Sequence, residues 1–157
     1  KTPDRPPQPR PRSPPRSDIN SKNLSFCDAL DQPATKDVST LLTAALSSDW
    51  KSYGADTDPG KGREAFIAQV QMFGKVFTSL EWSIVEVVRS PEQGKVVVRS
   101  RITATPAGDF RGVPHNGGSF SVMTIDIHTF ENGQLIAAHH VEDWASAVEQ
   151  LRAAGAA

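Results

Sequence analysis

At 157 residues, with a formal charge of −1 and 38% hydrophobic residues, the chain suits one domain around a single core. Its lone cysteine, Cys27, excludes an intramolecular disulfide framework and any CxxC metal knuckle. No apolar run approaches the ~18 residues of a membrane span, and an acidic body without a basic stripe argues against nucleic acid as a partner.

The first seventeen residues, KTPDRPPQPRPRSPPRS, hold seven of the twelve prolines and carry +4, which leaves −5 on residues 18–157. Such a composition buries too little apolar surface to offset its ordering entropy. Residues 1–20 are therefore expected to be a disordered Pro/Arg-rich tail, and residues 21–157 the single folded domain. PRSPPR at 11–16 matches a PxxPxR ligand pattern, one that short Pro/Arg tails also produce by chance. A cytoplasmic location is the expectation. Because the chain starts at Lys1 rather than Met, a removed signal peptide is the alternative.

Residues 36–50 place Val38, Leu41, Leu42, Ala45 and Leu46 on one face, which predicts an amphipathic helix with Thr35 as its cap. KSYGADTDPGKG at 51–62 is turn chemistry. A second helix is predicted over 63–80, with Phe66, Val70, Phe73, Phe77 and Leu80 on its apolar face. The pattern then changes to period two. Strands are predicted over 81–90, 95–105, 120–130 and 134–143, the last two joined by Asn132-Gly133, a strong hairpin signal. A short helix over 144–155 closes the chain. This order predicts an α+β fold with helices on one face of a curved antiparallel sheet.

Two histidines and two acids crowd the end of the last strand: His139, His140, Glu142 and Asp143. Counting outward from a two-residue turn sets Phe130 opposite Leu135, Asp126 opposite His139 and Val122 opposite Asp143. Alternation then sends His139 and His140 to opposite faces, and His140 and Glu142 away from the chemistry. His139 and Asp143 share a face but lie ~13 Å apart along the strand, too far to share a metal ion. No metal and no cofactor are expected. Two readings of the faces stay open: a Met/Ile core with a solvated Asp/His face, or a mixed face that lines a pocket while the Met/Ile face meets a second subunit. Asp143, just before WASAVEQL, is also a natural helix N-cap.

The runs G.GREAF (60–66), F..L.W.I.EVV (77–88), GKVVVR (94–99), GDFRGVP (108–114) and IDIHTFENGQLI…D…..EQL (125–151) resemble the SnoaL-like polyketide (ester) cyclases over about residues 36–152. The resemblance implies a cone-shaped α+β barrel of the NTF2-like superfamily, usually a homodimer, with a deep pocket for a small hydrophobic substrate. It implies Asp143 as the acid–base catalyst of an intramolecular aldol-type closure. Asp126 or His128 would hold substrate oxygens, His139 would stand nearby, and Tyr53 and Trp82 would form pocket wall. The chain departs from the family's usual GTHTG at ATPAG (104–108) and from GVPPTG at GVPHNG (112–117), and has His139 where Trp is common. Two other functions fit the same cavity. One is a non-catalytic small-molecule-binding module. The other is a limonene-epoxide-type hydrolase, with Arg99 or Arg101 standing between Asp126 and Asp143.

Overall fold

The structure, a computed structural model, describes residues 16–156. Residues 1–15 of the expected tail, and with them most of PRSPPR, lie outside the described residues. Helix α1 (Arg16–Leu30) begins inside the segment read as tail and carries Phe26, Cys27, Ala29 and Leu30 into the core. Phe26 and Leu30 stand one turn apart on one face, the spacing that lets both bury together.

Helix α2 (Val38–Ala45) is capped by Asp37, whose carboxylate accepts from Thr40 N at 3.0 Å and Thr40 Oγ1 at 2.8 Å. The cap is thus two residues later than Thr35. The helix also stops five residues short of the predicted end, and β1 (Leu46–Tyr53) follows directly. Ser47, Ser48 and Asp49 explain the break: such side chains compete for nearby hydrogen bonds and favour non-helical backbone. Ser47 Oγ donates to Asp49 at 2.8 Å. Beyond it Trp50 and Ser52 alternate inward.

A two-residue strand β2 (Lys61–Gly62) leads into α3 (Arg63–Val76). Gly60, with φ of +87°, lies where a Cβ would come within 2.7 Å of the Tyr53 ring, so both its backbone and its space require glycine. The long strands β3 (Phe77–Ser90) and β4 (Lys95–Pro106) form one antiparallel ribbon. β5 (Phe120–Glu131) and β6 (Gln134–Glu142) form a second, joined at Asn132 and Gly133, both at positive φ as a type I′ turn demands. Helix α4 (Trp144–Gly155) matches its predicted range.

The sheet order is β2-β1-β6-β5-β4-β3, with β1 parallel to β6 and the other pairs antiparallel. The sheet is curved and open. The α+β architecture agrees with the sequence reading, with two strands added at the β1 edge. Helices α1 and α3 cover one face, where Phe26 stacks on Phe66 at 5.6 Å between ring centres and Trp50 meets Phe66 at 4.9 Å. Each fully buried side chain of this size contributes about 1.5–3 kcal/mol of transfer free energy. Helix α4 is tied to the edge of β5 by Gln150, which accepts from Ser121 N at 2.8 Å and donates to Ser121 O at 3.0 Å.

One irregularity decides the site. The β5–β6 ladder pairs Phe130 with Leu135 as counted from the turn, but Thr129 pairs with Ala137, leaving Ile136 as an extra residue. This β-bulge shifts every later pair by one position. Asp126 stands opposite His140 rather than His139, and Thr124 opposite Glu142.

Candidate functional site

Between the helices and the covered sheet face lies a cavity of about 410 Å³. That volume is at the lower end of the ~300–1,000 Å³ range of small-molecule sites. Its walls are apolar, built from Phe26, Phe66, Phe73, Phe77 and Trp82, and one end is polar, built from Ser52, Asp126, His140 and Glu142. Lys61, Gln69 and Asp58 edge it on one side, and Phe110, Arg111 and Trp144 on another. The Arg111 guanidinium sits 4.8 Å from the centre of the Trp144 ring.

The polar end is a connected chain of hydrogen bonds. Ser52 Oγ is 2.9 Å from His140 Nε2, and His140 Nδ1 is 2.7 Å from Glu142 Oε1. Two features of the sheet bring them together. Parallel pairing sets Ser52 beside Ala138, two residues before His140, and strand alternation puts His140 and Glu142 on one face. Asp126 completes the group from the adjacent strand. It is 5% exposed, and its Oδ2 accepts from Thr124 Oγ1 at 3.3 Å.

Burial, and then the nearby Glu142 charge, push the Asp126 carboxyl up from 3.8 to about 7. The hydrogen bond it donates to Glu142, together with the charges of Glu142 and Asp126, raises the His140 imidazole above its ordinary value despite partial burial. An acid brought near neutrality beside an imidazole favoured as a cation is a pair able to move protons at physiological pH. Among the described residues no three His, Cys, Asp or Glu side chains converge as metal ligands.

The expected site residues divide. Asp126 and Trp82 line the cavity. His128 does not line it and is fully buried, edge-on to Phe26 at 4.7 Å, with neither ring nitrogen hydrogen-bonded. Burial, and then the charge of His140, lower its pKa from 6.5 to about 4, so at neutral pH it is an uncharged core residue. His139 and Tyr53 pair across β6 and β1 and stack on the opposite face of the sheet at 4.8 Å. Neither touches the cavity, because the bulge turned His139 outward.

Asp143 also departs from expectation. Its carboxylate is exposed and caps α4, accepting from Ser146 Oγ at 2.6 Å and Ser146 N at 3.1 Å. Those two bonds hold its pKa below the usual carboxylate value, the reverse of what a general base near neutrality needs. Arg99 and Arg101 do not stand between Asp126 and Asp143. Both lie on the outer face, Arg99 Nε bonded to Glu86 at 3.0 Å, so the hydrolase arrangement is not formed. His140, Glu142 and Ser52 are the residues that sequence reasoning missed. Ala137-Ala138, small enough for either face, carries no signal of the bulge that turns His140 and Glu142 inward.

A model of the SnoaL-like polyketide cyclase family matches residues 28–151. The chain belongs to that family. Its fold is correspondingly similar to solved structures of the NTF2-like type. One is a protein of Jannaschia sp. CCS1 assigned to the SnoaL-like polyketide cyclases, 23% identical, with a TM-score of 0.75 over 92% of this chain and 99% of that one. TsrD from Streptomyces laurentii is 20% identical, with a TM-score of 0.72 over 87% of this chain and 96% of that one. AclR from Streptomyces galilaeus, assigned as a hydroxylase, is 19% identical, with a TM-score of 0.71 over 88% and 98%. At such identities the likeness is one of fold. No protein of curated function matches the sequence.

Proposed function

We propose that this SnoaL-family chain closes a ring within a small polyketide-like or ester-bearing substrate by acid/base, aldol-type chemistry centred on Asp126. The Asp126 carboxylate takes a proton from a carbon α to a carbonyl. The enolate carbon attacks a second carbonyl of the same molecule, a C–C bond forms, and the new alkoxide takes a proton back from the site. The His140 cation, held by Glu142, stabilises the oxyanions in between. The reading calls on no metal and no cofactor. The observation that carries it is a buried carboxyl brought to about 7 inside an apolar cavity, since a base works best with a pKa near the operating pH.

The substrate is proposed to be small and mostly apolar, matching the aromatic walls. A homodimer is proposed through the outer sheet face, where Val88, Met123, Ile127 and Val141 stand exposed. The test of the chemistry is deuterium uptake at the acidic carbon of a β-keto ester, followed by NMR in D₂O. Wild-type protein is expected to accelerate exchange over buffer. Exchange no faster than in buffer would remove the proton-abstraction step.

A further inference from the structure

We propose that Ser52 is a nucleophile and that the same pocket cleaves small apolar esters through an acyl-enzyme on its hydroxyl. The inference stands on the pocket and does not depend on the ring-closing reading. Ser52 lines the cavity although the residue is only 4% exposed. Its Oγ is 2.9 Å from His140 Nε2, while His140 Nδ1 is 2.7 Å from the Glu142 carboxylate. Nucleophile, base and orienting acid are thus joined in the order that activates a hydroxyl, an arrangement recognised by geometry and roles rather than by sequence position.

Each member has a defined task. Glu142 accepts a hydrogen bond from Nδ1–H, which fixes the tautomer of the neutral imidazole and leaves the Nε2 lone pair facing Ser52. As Oγ forms its bond to the ester carbonyl carbon, the hydroxyl proton passes to Nε2 and the carbonyl π pair moves onto oxygen. A protonated Asp126, the cross-strand neighbour of His140, can donate to that oxyanion. Collapse breaks the bond to the alkoxide, which leaves with the Nε2 proton as an alcohol. Water then repeats the sequence on the acyl-enzyme, giving a carboxylic acid and free Ser52. Water is the only co-reactant. An aromatic or short alkyl acyl group suits the Phe66, Phe73 and Trp82 walls.

The test treats folded wild-type protein with an alkyl fluorophosphonate and maps the adduct by peptide mass spectrometry, so the assignment does not rely on any variant folding. The expected result is one phosphonyl group on Ser52, absent when the chain is heat-unfolded first. Labelling is expected to slow at least about 100-fold in His140→Gln, the scale of a lost general base. An unlabelled Ser52, or equal labelling of the unfolded chain, overturns the proposal. Protein that exchanges α-protons yet leaves Ser52 unlabelled keeps the ring-closing reading and loses this one. Protein labelled on Ser52 that exchanges no α-protons does the reverse.

Discussion

Asp126 and His140 are direct cross-strand partners, and the same imidazole donates from Nδ1 to Glu142 Oε1 at 2.7 Å on its own strand. One imidazole therefore stands between two carboxylates at the polar end of an otherwise apolar cavity. The two carboxylates favour the imidazolium, while the Glu142 charge opposes ionisation of Asp126. Asp126 and His140 therefore titrate as a linked pair.

Replacing Glu142 tests that coupling. Glu142→Gln removes the charge that helps to raise His140 and Asp126 and leaves His140 Nδ1–H only a neutral amide oxygen as partner. Both pKa values are expected to fall, His140 measured by NMR titration of its ring Cε1 proton and Asp126 by its carboxyl carbon shift. An unchanged His140 titration would place its partner elsewhere.

Stability should carry the signature of two buried groups with opposite signs. The Asp126 carboxyl is raised from 3.8 to about 7, so the folded chain keeps a proton that the unfolded chain releases in that range. Its contribution is whole below the lower value and is lost as pH rises to the higher one. His128, lowered from 6.5 to about 4, behaves oppositely, and its contribution is lost as pH falls through that window. Thermal melts should therefore show Asp126→Asn gaining on wild type as pH rises, and His128→Leu gaining as pH falls.

The Asp143 cap gives a separate expectation. Asp143→Ala removes both bonds to Ser146 and should lower the midpoint of chemical denaturation slightly, as the loss of an exposed N-cap does. A drop as large as that of a core truncation would indicate a role in the core at odds with its exposure.

The elements that local chemistry dictates were legible in the sequence. Helix α4, the Asn132-Gly133 turn and the apolar face of α3 follow from capping, positive-φ residues and 3.6-residue spacing. The site was only partly legible. Asp126 is legible because alternation along Val122, Thr124 and Asp126 is unbroken. Regular alternation sends His140 and Glu142 outward, but a single inserted residue, Ile136, reverses the faces of the strand that follows it. Ser52 was hidden for a different reason. Its partner lies 88 residues away, through a parallel pairing that no local pattern announces.

The outer sheet face predicts the assembly. Val88 and Val97 pair across β3 and β4, Val97 with Ile127, and Ile125 with Val141, forming an apolar surface on which Val141 is 63% exposed. Contiguous apolar area of this kind marks a contact surface. Sedimentation should report twice the 17.0 kDa chain mass, and Met123→Glu, on the same outer face, should shift it toward monomer. A wild-type monomer at high concentration would exclude the dimer.

The most direct test of the central claim compares two isosteric changes, Asp126→Asn and Asp143→Asn, in α-proton exchange on one β-keto ester, with folding checked by circular dichroism. With Asp126 as the base, Asp126→Asn should slow exchange by about 100-fold or more, while Asp143→Asn stays within a fewfold of wild type. The reverse pattern, in which Asp143→Asn abolishes exchange and Asp126→Asn does not, would contradict the account.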